Sequence, residues 1–76
     1  MNKQELRRRA QKVMKEFYGF APSQKQIVLL EASGDYSSIM WQVGKFEYDW
    51  HAGREDRFGY WIGEHINIRE VENYES

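Results

Sequence analysis

The side chains best suited to chemistry in this chain are two histidines, His51 and His65, each with a carboxylate close by in sequence. Asp49 lies two residues before His51, so on an extended strand the two share a face, and Glu64 adjoins His65. Imidazole and carboxylate together can move a proton or ligate a divalent metal. Neither use has its signature here. There is no H-E-x-x-H pattern to set two imidazoles on one helix face, no glycine-rich phosphate loop and no nucleophile elbow. The chain lacks cysteine, which excludes thiolate nucleophiles, thiolate zinc sites and disulfides. A chain of 76 residues also seldom encloses the dry, concave pocket that catalysis needs. Lone histidines at strand ends are ordinarily surface residues. No catalytic residue, metal site or cofactor is expected, and the chain reads as a non-enzyme.

Charge offers a different chemistry. The net charge of −1 hides an asymmetry: residues 1–25 carry seven basic side chains against Glu5 and Glu16, whereas residues 26–76 carry four basic against ten acidic. Placing the N-terminal residues about 100° apart, as in a helix, gathers Arg8, Lys12 and Lys15 into one row. Such a row could neutralise phosphates and would make nucleic-acid binding steeply salt-dependent. The plainer account is a solvated helix face, supported by Glu5–Arg9 and Lys12–Glu16 pairs at i,i+4 spacing.

Aromatic residues make up 16% of the chain, which is generous for a domain with room for one small core. Four of them, Trp41, Phe46, Tyr48 and Trp50, are absorbed by a hairpin whose register can be read directly. Gly44-Lys45 suits the two central positions of a type II′ turn, the first of which demands a positive φ. Counting outward pairs Val43 with Phe46, Trp41 with Tyr48 and Ile39 with Trp50 on one face. Gln42 with Glu47, Met40 with Asp49 and Ser38 with His51 fall on the other. A slip of one residue would carry the charges into the core, so the register is strongly specified. Tyr36, Phe58, Tyr60 and Trp61 are left over. Tyr60 and Trp61 are adjacent, so on a strand they face opposite ways and only one can enter the same core.

The elements that position these groups follow from local signals. A helix is predicted over residues 3–18, with Asn2 as N-cap, Glu5 completing a capping-box pattern, and Gly19 followed by Pro22 as the stop. Its apolar stripe is Leu6, Ala10, Val13 and Phe17, with Met14 on the edge and Phe20 folding back onto Met14. Strands are predicted over 26–32, 38–43, 46–51 and 58–62, and Ile66 with Ile68 could extend the last. The first, with Ile27, Val28, Leu29 and Leu30 in a row, is apolar on both faces and reads as an interior strand or one covered by the tail. Residues 70–76 read as an acidic, frayed end. The fold class is α+β, with the N-terminal helix packed on one face of a three- to four-stranded antiparallel meander. No run is long enough to span a membrane and the N-terminus lacks a signal-peptide core, so a cytoplasmic, single-domain protein is expected.

These readings point to a non-enzymatic protein-binding module, a small inhibitor or regulator of a larger partner, with a physique shared by analogy alone with proteins of phages and mobile elements. Its expected partner-binding residues are Tyr60 or Trp61 as anchor, with Glu47, Asp49 and the loop from Arg54 to Arg57 as rim. The alternatives are a nucleic-acid module using Arg8, Lys12 and Lys15, and a self-associating subunit, such as a homodimer, joined through a sheet edge or the leftover aromatics.

Overall fold

Asn2 and Gly19 fix the helix as their residue types require. In a computed structural model describing residues 2–71, α1 spans Lys3–Tyr18, and Asn2 Oδ1 accepts the Glu5 backbone N–H at 2.9 Å. Gly19 takes a left-handed φ of 81° and donates its N–H to the Lys15 carbonyl. That single bond is the αL form of C-cap, which does not draw the following residue back onto the helix. Phe20, expected against Met14, is accordingly 61% exposed.

The buried line on α1 runs Leu6, Ala10 and Met14, continues into half-buried Tyr18, and has Val13 beside it. This is an i+4 row, inclined to the helix axis, so contact with the sheet drifts around the helix toward its C-terminal end. Met14 thus moves from the expected edge to the centre, and Phe17 leaves the stripe for solvent.

A 3-10 turn, Gln24–Gln26, takes the first residue of the predicted strand and delivers buried Ile27 under the helix. Four strands then form an antiparallel sheet: β1 (Val28–Ala32), β2 (Ser38–Val43), β3 (Phe46–His51) and β6 (His65–Glu70), in the order β1-β2-β3-β6. The fold is α+β, one helix against a four-stranded antiparallel sheet. Between β3 and β6 the chain makes a separate two-stranded ribbon, β4 (Arg54–Glu55) with β5 (Trp61–Ile62).

The β2–β3 register is the one read from the turn, pair for pair from Val43–Phe46 to Ser38–His51, with Gly44 at φ 58°. Beneath α1 lie Ile39, Trp41, Tyr48 and Trp50, all buried. Trp41 and Tyr48 stack at 5.7 Å between centroids, and Tyr18 meets Tyr48 edge-on at 5.9 Å. Burial raises the Tyr18 phenol pKa, helped by neighbouring Tyr48, and burial alone raises that of Tyr48. Val43 and Phe46, at the turn end of the same face, are less covered, and Phe46 is 39% exposed.

Two strand assignments change. β1 is an edge rather than an interior strand: its pairing with β2 breaks at Leu30, between Leu29 and Glu31, and Val28 and Leu30 stay exposed. The strand expected over 58–62 shrinks to β5 and leaves the main sheet, whose fourth place is taken by β6. A turn tied by Asp56 holds residues 56–60 and prevents them from extending. Glu70 belongs to β6, whereas the rest of the expected acidic tail, residues 72–76, lies outside the described residues.

Candidate functional site

Of the four aromatic residues left over, Tyr36 packs partly buried against the core, and Phe58, Tyr60 and Trp61 gather on the β4–β5 ribbon. Arg54 pairs with Ile62 and Glu55 with Trp61, and the five residues between them form a tied loop. The Asp56 N–H donates to the Tyr60 carbonyl at 2.8 Å, and Asp56 Oδ1 accepts the N–H groups of Phe58 at 2.8 Å and Tyr60 at 3.0 Å. Gly59 closes the loop at φ 84°, where a side chain would be strained, and donates to the Asp56 carbonyl. An aspartate bonding to N–H groups ahead of it in this way is the Asx-turn chemistry that makes the residue common in turns.

This loop holds its rings in water. Phe58, Tyr60 and Trp61 are 69%, 72% and 71% exposed. The Arg57 guanidinium sits 4.9 Å from the Phe58 centroid, a cation–π contact that covers one ring face. Trp61 lies so close to Gly53 that a Cβ there would come within 2.5 Å of its Cζ2. Tyr60 and Trp61 do not divide between core and solvent, as one shared sheet would require, because the ribbon is not part of the main sheet. Full burial of one such side chain is worth about 1.5–3 kcal/mol. Grouped exposed rings are a marker of interaction surfaces.

The structure thus brings Arg54, Arg57, Tyr60 and Trp61 together in one hairpin and adds Phe58, which was not among the expected binding residues. It does not bring Glu47 and Asp49 to them. Both lie on the open face of the main sheet with partners of their own. Arg69 donates to Glu47 through Nε at 3.0 Å and a second guanidinium nitrogen at 3.1 Å, while Asp49 lies 3.0 Å from His51 Nε2.

The histidines do meet, since β3–β6 pairing sets His51 opposite His65 with their rings stacked at 4.8 Å. His65 Nδ1 lies 3.1 Å from the Gly63 carbonyl. Glu64 turns away and accepts the Trp50 indole N–H at 2.7 Å. Among the described residues, no group of three or more His, Cys, Asp or Glu side chains is placed to hold a metal ion.

On α1, Arg8, Lys12 and Lys15 are exposed on the side away from the sheet. Lys15 Nζ is bonded to the Gly19 carbonyl at 2.9 Å, and Arg7 Nε donates to the Ile27 carbonyl. Arg9 lies 6.0 Å from the Trp50 ring centroid. A depression of about 310 Å³ is lined by Glu5, Arg8, Arg9 and Lys12, and a neighbouring one of about 340 Å³ includes Glu16 and Glu64. Carboxylates interrupt the basic row on both sides. No helix among the described residues is long and apolar enough to cross a membrane. Comparison of the chain with protein-family models, with curated proteins and with solved structures found no match.

Proposed function

We propose that this protein is a non-enzymatic binding module that grips a larger protein partner with the β4–β5 hairpin, as a small inhibitor or regulator would. The observation that carries this reading is the tied loop holding Phe58, Tyr60 and Trp61 in solvent. Rings held in place lose little conformational freedom on binding, so more of their burial energy appears as affinity. Aromatic and arginine side chains also dominate binding hot spots, and Arg54 and Arg57 flank these rings. Glu47 and Asp49, on the open sheet face, serve at most as a remote rim that guides encounter through charge. The absence of cysteine suits a reducing compartment, and the cytoplasm is the location we assign.

The test is quantitative capture from the native cell with wild type, Trp61→Ala and Tyr60→Ala, each shown to be folded by its amide spectrum. The reading expects at least one partner to be depleted tenfold or more by either change. Equal recovery of every captured protein with all three baits would refute it.

A nucleic-acid reading draws on the exposure of Arg8 and Lys12 and the third basic residue, Lys15. It expects binding of DNA or RNA that falls steeply with salt and is abolished by reversing these three charges. No binding at low salt would remove it.

A further inference from the structure

We propose that the free edge of β6 pairs antiparallel with the same edge of a second copy, joining two sheets about a two-fold axis at Ile68. The observations behind this are separate from those that identify the hairpin.

The bonding pattern shows which groups the edge offers. Val71 donates its N–H to the Lys45 carbonyl at 2.7 Å. In an antiparallel ladder, bonded pairs recur every second residue, so Arg69, Asn67 and His65 turn their backbone groups toward β3. The N–H and C=O groups of Ile66, Ile68 and Glu70 therefore point outward, and among the described residues no backbone group meets them. β1, at the opposite edge, is interrupted at Leu30. Such bulges blunt an edge against further pairing, and β6 has neither a bulge nor a proline.

The extent of β6 then selects the register. Across a two-fold axis perpendicular to the sheet, residues of like parity must face each other to keep both apolar faces on one side. An axis through Asn67 would leave Glu70 to pair with Glu64 of the second copy, a residue outside β6. An axis through Ile68 instead sets Ile68 against itself, Ile66 against Glu70 and Asn67 against Arg69. All three outward residues of β6 then find their partners within β6 of the second copy. Every outward pair in that register is also a bonded pair, so the three outward residues of each copy are all satisfied. The edge's charges are already matched within the chain, Glu70 with Lys45 at 3.3 Å and Arg69 with Glu47.

The apolar face continues through the same axis. Ile68 is 47% exposed and Phe46, on the same face, 39%. Two copies would bring their Ile68 side chains together and extend one apolar surface across the joint.

The test begins with the amide exchange of the intact chain from micromolar to millimolar concentration. The Ile66, Ile68 and Glu70 amides should slow tenfold or more, while sedimentation moves toward twice the 9.2 kDa chain mass. Ile68→Pro removes an N–H that the single copy does not use, and proline is tolerated on an edge whose N–H faces water. This variant should remain monomeric with a dispersed spectrum. In the cysteine-free background, Ile68→Cys should cross-link on oxidation, because a bonded pair sets Cα atoms about 5.5 Å apart, within disulfide range. Ile66→Cys, offset from its counterpart, should not. A chain that stays monomeric at millimolar concentration overturns the proposal. So does a dimer that survives Ile68→Pro or is lost with Trp61→Ala, or protection of these amides only by a different protein.

Discussion

Two hairpins in this molecule have similar raw material and opposite fates. The β2–β3 hairpin carries Trp41, Phe46, Tyr48 and Trp50, and the β4–β5 hairpin carries Phe58, Tyr60 and Trp61. In the first, apolar side chains alternate with polar ones at every position but Met40, so strand parity puts the rings on one face and α1 covers most of it. In the second, Tyr60 and Trp61 are consecutive, parity splits them, and no single layer could bury both. Aromatic content does not decide burial. The alternation around it does.

The largest difference should appear on truncating a ring in each hairpin. Trp41→Ala removes a fully buried side chain and should cost about 3–5 kcal/mol, enough to unfold much of a domain this small. Trp61→Ala should cost less than about 1 kcal/mol in urea denaturation while carrying the loss of partner binding. Similar costs for the two changes would erase the distinction drawn between the hairpins.

A smaller effect separates order in the outer loop from global stability. Asp56→Ala removes the acceptor for two backbone N–H groups, and comparable caps are worth roughly 0.5–2 kcal/mol. The amides of residues 56–60 should exchange faster by about tenfold, with the β2–β3 amides changed far less. Uniform acceleration across both hairpins would mean that the ribbon is part of the same cooperative unit as the core.

A second aspartate-centred turn leads into the central hairpin and gives a pH signature. Asp35 accepts hydrogen bonds from the Ser37 hydroxyl at 2.7 Å, the Ser37 N–H and the Ser33 hydroxyl, which hold its carboxyl down at about 2. Because the folded pKa lies below the unfolded one of about 3.9, its contribution is complete above that value and fades as pH falls toward 2. Asp35→Asn should flatten this part of the urea-midpoint profile between pH 4 and 2. An unchanged slope would show that the carboxylate is not held by these donors. The adjacent Tyr36 has a φ of 57°, rare for a residue with a side chain, so loosening this turn also releases strain.

The smallest effect is at Gly53. A methyl group there must displace the Trp61 indole, so Gly53→Ala should shift Trp61 emission and leave the urea midpoint within about 0.5 kcal/mol. No spectral change would mean that the ring does not rest on Gly53.

Much of the fold was legible because local chemistry and the global arrangement agree at particular residues. Asn2, Gly19 and Gly44 each mark a backbone position that few other residues satisfy, and the alternation from Ile39 to Trp50 fixes a face. Elements were misread where tertiary context overrides a local run. Ile27 to Leu30 looks like an interior strand, yet the break at Leu30 and the edge position expose half of it. Tyr60 to Ile62 looks like a sheet strand, yet Asp56 and Gly59 reserve the preceding residues for a turn. An aspartate three residues before a glycine was the available signal for that loop, and for Phe58 at its tip. The separation of Glu47 and Asp49 from the rings had no local signal, since it depends on how the ribbon leaves the sheet.

The three indole N–H groups together test the division between buried and offered rings most directly. Trp41 Nε1 is buried with no hydrogen-bond partner among the described residues, Trp50 Nε1 donates to Glu64, and Trp61 is exposed. Hydrogen exchange of the three, followed in one set of amide spectra, should show Trp41 and Trp50 strongly protected and Trp61 exchanging at nearly the rate of a free indole. Protection of Trp61 comparable to Trp41 would place it in a core and contradict the proposed binding hairpin.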